Sequence, residues 1–273
     1  VKNLKHMEEI HNINIEELKD RLFDYNSIDD DFIVSSKINN STIKQEFIQK
    51  MINQPFRVNA LAIVSCTKGL FTASINLKKY KIKKNMCICN TPYNIFNIED
   101  INDAEIQLVA VSTSFMKEVN IKNLSSLYIN LQNSPIVYLK DKDMKILNYY
   151  LNVLYSVNTS YKNLVEIDRS LVASLIYWFQ DVVKKSNKFQ SIETPITKSK
   201  ESILFEKFLH FLSKYYTKER SVSFYANKLN MAPKYFSTVI KEYSHLSASK
   251  WIDDYVILES KSLLKYSDLS IKQ

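Results

Sequence analysis

The sequence predicts an α+β chain in which a small β-barrel is followed by a helical region and then by a wholly helical end. Three observations carry the prediction. Residues 55–112 fall into short, closely spaced apolar runs, one of them strictly alternating. From about residue 140 the apolar spacing changes to three and four. Gly69 is the single glycine in 273 residues, and this excludes Rossmann fingerprints, P-loops and nucleophile elbows, each of which needs two or more glycines at fixed offsets. At 45% apolar and 24% charged, the chain is long enough for a sizeable core and for two domains.

Taken in order, residues 1–50 are polar and mixed, with the acidic run Asp29-Asp30-Asp31, and read as loosely structured apart from a short strand at Phe32-Ile33-Val34. In KGLFTASINLKKYKI, Phe71, Ala73, Ile75 and Leu77 alternate with Thr72, Ser74, Asn76 and Lys78, the period of a half-buried strand. FRVNALAIV, MCIC and IQLVAV supply further strands, separated by Lys83-Lys84-Asn85, Thr91-Pro92 and Glu99-Asp100. Short strands at this density build a small barrel or a sandwich.

Met144, Leu147, Leu151 and Leu154 then lie on one stripe of a helix, and Leu164, Ile167, Leu171, Leu175, Trp178 and Val182 on one stripe of a second. The second helix has another apolar row, Val172, Ile176, Phe179 and Val183. Two apolar faces need two partners. The expectation is that one row packs within the chain and the other in a homodimer, a helix buried wholly inside one subunit being the alternative. Residues 187–201 have no apolar period, carry Pro195 among Ser, Thr and Lys, and read as a linker.

Beyond the linker, ILFEKFLHFLSKYY is an amphipathic helix with Phe205, Phe208, Leu209 and Leu212 on one side. SVSFYANKLNMAPKYFSTVIKEY follows, reading as two short helices joined by a tight turn. Ser221 is placed to cap the first, whose buried face is Val222, Tyr225, Ala226 and Leu229. Ala226 supplies the small side chain that two steeply crossing helices require, and Asn230 tolerates the left-handed backbone of such a turn. Pro233 suits the first turn of the second helix, where its missing N–H is no loss. In that helix Phe236, Val239, Ile240 and Tyr243 point inward, and Lys234, Ser237, Thr238 and Lys241 point outward. Short hydroxyls between lysines can read a major groove, Ser and Thr reaching base edges and Lys reaching guanine or phosphate; an ordinary solvated helix face has the same pattern.

Charge supports the groove-reading alternative. The net +8 of the whole chain is discounted in part, because abundant Lys, Asn, Ile and Tyr with scarce Arg and Gly also follow from an A- and T-rich gene. Its distribution is more telling: residues 198–273 hold 13 basic and 8 acidic groups against 24 and 21 in residues 1–197, which concentrates the excess at the helical end.

Four histidines, His6, His11, His210 and His245, leave residues 12–209 without one, which excludes a His-based metal centre there. No metal, cofactor or catalytic residue is expected, and the chain reads as a non-enzyme. Aromatic candidates for lining a ligand pocket in the first domain are Phe71, Tyr80, Tyr93 and Phe96, each of a type more often simply core. Cys66, Cys87 and Cys89 are too few for a secreted disulfide framework. They read as buried inert thiols, with a redox sensor as the sharper alternative and a zinc site as the least favoured. No apolar run approaches 18 residues and no signal core stands at the start, so a reducing cytoplasm is the expected compartment.

The stretch from Ile203 to Gln273 resembles the first part of the DNA-binding domain of AraC/XylS-type bacterial transcription regulators, through its supporting helix, its helix-turn-helix and the long helix in SASKWIDDYVILESKSLLKYS. Residues 55–115 resemble that family's cupin-like sensor through the GLFTASINLKKYKI strand pattern. The resemblance implies base reading by Lys234, Ser237 and Thr238, with Lys241 on the DNA backbone; Tyr235 and Ser221 complete the residues expected to touch DNA. The family usually has Gly where His245 stands, and its pattern continues into a second helix-turn-helix beyond DLSIKQ, so the sequence is expected to be a fragment.

The implied organisation is a cupin-like sensor in 1–140, a helical dimerisation region in 141–186, a linker in 187–201 and an incomplete helix-turn-helix domain in 202–273. The implied function is a sequence-specific, homodimeric regulator that binds double-stranded DNA and answers a small-molecule effector. The rival is a stand-alone ligand-binding cupin protein whose C-terminal helices only dimerise.

Overall fold

The computed structural model describes residues 11–39 except 21 and 23, 55–101 except 93, 104–156, 162–186, 200–244 and 246–266. The chain is α+β, and the strands form two open stacked sheets rather than a closed barrel. One sheet runs β1 (His11–Ile13), β4 (Phe56–Val58), β9 (Phe96–Asp100), β6 (Leu70–Ile75) and β7 (Lys78–Lys83). The other runs β11 (Ile136–Tyr138), β8 (Met86–Asn90), β5 (Ala60–Lys68), β10 (Glu105–Ser112), β3 (Phe32–Ile38) and β2 (Asn26–Ile28).

Period-two alternation on the six-stranded sheet assigns its side chains to two cores. Phe32, Val34, Leu61, Ile63, Cys87, Cys89, Val109 and Val111 face a layer of helices. Ile33, Ala60, Ala62, Ile88, Leu108 and Ala110 face the five-stranded sheet, where they meet Phe56, Val58, Phe71, Ala73, Ile75 and Phe96. A sheet covered on both faces needs continuous apolar runs. That is why MCIC and IQLVAV lack alternation, whereas FTASI on the five-stranded sheet keeps it.

Three expectations are corrected. FRVNALAIV is two strands in different sheets: the chain turns at Asn59, whose N–H donates to the Ile13 carbonyl at 3.0 Å. KGLFTASINLKKYKI is a hairpin, with Ile75 opposite Lys78 and the turn residues Asn76 and Leu77 at φ 51° and 67°. Two positive-φ residues match the right-handed strand twist, so Leu77 leaves the alternation and sits in the turn. The start of the chain is more ordered than its polarity suggests. β1 pairs in parallel with β4, and helix α1 (Ile15–Lys19) buries Ile15 and Leu18 behind a capping box in which Asn14 Oδ1 accepts from the Glu17 N–H at 2.8 Å and Glu17 accepts from the Asn14 N–H at 2.9 Å.

The helical layer comprises α2 (Thr113–Glu118), α3 (Leu124–Asn133), α4 (Asp141–Ser156) and α5 (Leu164–Ser186). Both apolar rows of α5 find partners within the chain. Val172, Leu175, Ile176, Phe179, Val182 and Val183 are buried, and Leu171 and Trp178 are half-buried against the same core. Tyr150 of α4 stacks on Trp178 at 6.1 Å and its hydroxyl meets Ser174 Oγ at 2.8 Å. The two-faced pattern therefore follows largely from intrachain packing. The apolar residues left exposed here include Tyr149, Val153, Val165 and Ile167. Arg169 holds α5 to its surroundings, pairing with Asp31 at 2.7 Å and Glu118 at 2.8 Å over the Phe115 ring.

Helices α6 (Lys200–Tyr215), α7 (Val222–Lys228), α8 (Pro233–Ser244) and α9 (Ala248–Tyr266) build a third core around Phe205, Phe208, Tyr225, Phe236 and Trp251. Ile129 of α3 enters this core, and Arg57 of β4 lies over the Tyr216 ring at 5.3 Å. Among the described residues no helix is long and apolar enough to cross a membrane.

Candidate functional site

The α7–turn–α8 unit is set by local chemistry. Ser221 Oγ accepts from the Phe224 N–H at 3.2 Å and caps α7. At the other end Asn230 is left-handed at φ 54°, the Met231 N–H donates to the Ala226 carbonyl at 3.0 Å, and the Asn230 N–H donates to the Asn227 carbonyl at 3.0 Å. These paired bonds are a Schellman ending, here with Asn where Gly is commoner. Pro233 then opens α8.

Aromatic packing fixes the orientation of α8. Phe236 and Ile240 are fully buried, Val239 nearly so, and Tyr243 half-buried. The Phe208 ring meets Phe236 edge-on at 5.2 Å and Tyr225 at 5.7 Å, while Phe205 meets Trp251 at 5.3 Å. The Tyr225 hydroxyl donates to the Glu219 carbonyl at 2.7 Å, and burial, helped by the Glu219 charge, pushes its pKa up to about 12. Ala226, fully buried, lets α7 and α8 approach closely.

Opposite that buried face, Lys234, Thr238 and Lys241 are exposed, Ser237 is half-exposed, and Tyr235 is 60% exposed beside them. Thr238 Oγ1 donates to the Lys234 carbonyl at 3.1 Å. Its one proton is thereby engaged, which leaves the oxygen of this exposed side chain to accept. Such a side chain accepts from an adenine or cytosine amino group and packs against a thymine methyl. Ser221 differs from the other five residues expected to touch DNA, since its side chain is used as a cap. His245 lies outside the described residues.

A buried hydrogen-bond relay holds the end of α8. Ser244 Oγ accepts from the Trp251 indole N–H at 2.9 Å and donates to the Ile240 carbonyl at 2.7 Å. Sequence reasoning misses it, because Ser and Trp seven residues apart on two helices give no one-dimensional signal.

In the sandwich, a cavity of about 90 Å³ lies between the sheets. Phe71 and Phe96 line it, as do Phe56, Val58, Ala62 and Asn90. Tyr80 sits outside the lining on β7, half-buried, with Lys78 Nζ 5.6 Å from its ring centroid, and Tyr93 lies outside the described residues. The three cysteines are buried and free, Cys87 and Cys89 toward the helices and Cys66 toward the sandwich interior. Burial raises all three thiol pKa values, which keeps them protonated and opposes thiolate chemistry.

A smaller cleft of about 40 Å³ sits where the sandwich meets α6, lined by residues that include Asn59, Lys117, Tyr128 and His210. Burial, with Lys117 and Lys214 adding to it, lowers the His210 pKa.

No protein-family model and no curated protein matches the chain. Solved structures similar to it include ToxT from Vibrio cholerae strain SCE256 with an unsaturated fatty acid bound, at 14% identity, TM-score 0.42, covering 91% of this chain and 86% of that one. ToxT from Vibrio cholerae O395 is similar at 19% identity and TM-score 0.39, covering 82% and 80%. The AraC-like transcriptional activator CuxR is similar at 9% identity and TM-score 0.33, covering 85% and 78%.

Proposed function

We propose that the chain is a DNA-binding transcription regulator in which α8 enters the major groove. The observation that carries this reading is the division of α8 into a buried aromatic and aliphatic face and an exposed stripe of Lys234, Ser237, Thr238 and Lys241. In the proposed mechanism Ser237 and Thr238 read base edges, Lys234 reaches guanine or phosphate, Lys241 neutralises phosphate, and Tyr235 flanks them. Residues 202–273 are the DNA-binding part, 141–186 the helical region and 1–140 the sensor; of the expected linker 187–201, residues 187–199 lie outside the described residues and Lys200 and Glu201 open α6. The exposed Tyr149 and Val153, one turn apart on α4, belong to the surface on which two copies would pair.

The coupling we propose runs through β4. Phe56 and Val58 line the cavity, and Arg57 between them projects to the opposite side, against Tyr216 at the end of α6. Occupancy of the cavity would bias how the helical end is held, which is coupling between distinct sites. The test is selection from a randomised duplex pool with the wild-type chain and with the Ser237→Ala/Thr238→Ala double variant. The expected result is an enriched motif that relaxes at one or two base positions in the variant. An identical motif from both would remove the base-reading assignment. A lack of enrichment and of salt dependence would favour the ligand-binding protein whose helices only dimerise.

A further inference from the structure

Among the described residues, Asn90 of the sandwich has a buried side chain with both polar atoms unpaired. It ends β8 directly opposite Ala62 of β5, on the face that looks into the interior between the sheets. Its side chain is 1% exposed, and neither its amide nitrogen nor its amide oxygen has a hydrogen-bond partner. Buried amides are paired in nearly all folded proteins, so an orphaned one marks a place where another molecule completes the bonding. Asn90 also lines the cavity.

The rest of the lining decides the chemistry. Among the described residues Asn90 is the single polar side chain there, surrounded by groups such as Val64, Ile98 and Leu108, and no lysine, arginine or histidine faces in. Against the described lining a carboxylate or phosphate would lose its hydration without a cation to offset the loss. The volume of about 90 Å³ is several times the roughly 10–15 Å³ that one water needs.

We propose that this cavity binds a neutral, mostly apolar small molecule, Asn90 donating to and accepting from one uncharged polar group such as an alcohol or primary amide. The inference deepens the sensor role proposed for the sandwich and rests on that reading. Binding buries the apolar body against the sheet interiors and satisfies both ends of the Asn90 amide at once. The described lining favours a neutral group over an anion for the same reason.

The experiment is calorimetric titration of the full chain at pH 7.5, without DNA, with 1-hexanol, hexanamide, hexanoate and 1-chlorohexane as probes. Wild type is expected to bind 1-hexanol and hexanamide at least tenfold more tightly than hexanoate. Asn90→Val is expected to lose about tenfold for the first two and to change less than twofold for 1-chlorohexane, with circular dichroism confirming its fold. The wild-type ratio needs no variant, so the test stands even if the substitution impairs folding. Hexanoate binding as tightly as 1-hexanol, no binding by any probe, or an Asn90→Val variant that binds 1-hexanol as wild type does would each overturn the proposal. Because no DNA is present, such a failure is separate from a failure of groove reading, which the duplex selection reports.

Discussion

Replacing Ser244 by Ala tests how the end of α8 is held. The indole N–H of Trp251 donates to Ser244 Oγ at 2.9 Å, with Trp251 3% and Ser244 5% exposed, so the substitution takes the acceptor from a buried donor. An orphaned buried donor of this kind costs about 1–3 kcal/mol. Removing the bond from Ser244 to the Ile240 carbonyl adds less, because Ser and Thr bonds to the i−4 carbonyl contribute little to a helix. Trp251→Phe removes the donor and part of the ring that packs on Phe205, for a further cost of about 1–2 kcal/mol. In the double variant the indole donor is gone as well as its acceptor, so the two costs should fall short of additivity by at least about 1 kcal/mol. The assay is urea unfolding followed by far-ultraviolet circular dichroism for wild type, both single variants and the double variant. A Ser244→Ala cost below about 0.3 kcal/mol, or strict additivity, would refute the reasoning.

Three further outcomes are expected. Leu77→Gly should stabilise the chain by roughly 1 kcal/mol, because Leu77 holds φ 67° in the β6–β7 turn and glycine takes that conformation without a Cβ clash; a lowered melting temperature would contradict it. Burial raises the pKa of Asp168, a shift opposed by a hydrogen bond from Asn26, so the folded chain holds that proton more tightly than the unfolded one and stability falls as pH rises above 3.8. Asp168→Asn should then gain on wild type as pH rises through and above 3.8 in unfolding measurements, and a gap that does not change with pH would count against it. Thr238→Val should keep a preference for thymine at its base position and lose acceptance from an amino group, as read by selection from the randomised pool; an unaltered motif would argue that Thr238 faces no base.

The helical end is readable because its determinants are local. Ser221, Asn230 and Pro233 each act within a few residues, and Phe236, Val239, Ile240 and Tyr243 repeat at helical spacing, so α7, α8 and their faces follow from the sequence. Some local signals are equally present elsewhere: Asn14 and Glu17 spell the capping box of α1, and Leu124, Leu127, Tyr128 and Leu131 mark α3. The sandwich is harder to read for two reasons. Leu77 is apolar by type and extends the alternation of β6 through what is a turn, and the corner at Asn59 brings no change of composition as the chain changes sheets. Cavity and coupling depend on tertiary placement. Nothing in MCICN marks Asn90 as unpaired, and nothing around FRV shows that Arg57 leaves the sandwich for Tyr216.

Groove reading by α8 is tested most directly by the salt dependence of binding to a duplex selected from the pool, compared between wild type and Lys234→Ala/Lys241→Ala. If both lysines meet phosphate, the plot of log Kobs against log salt flattens by about two units, near 0.9 for each phosphate that is no longer neutralised. A slope unchanged in the double variant would place the DNA on another surface and contradict the account.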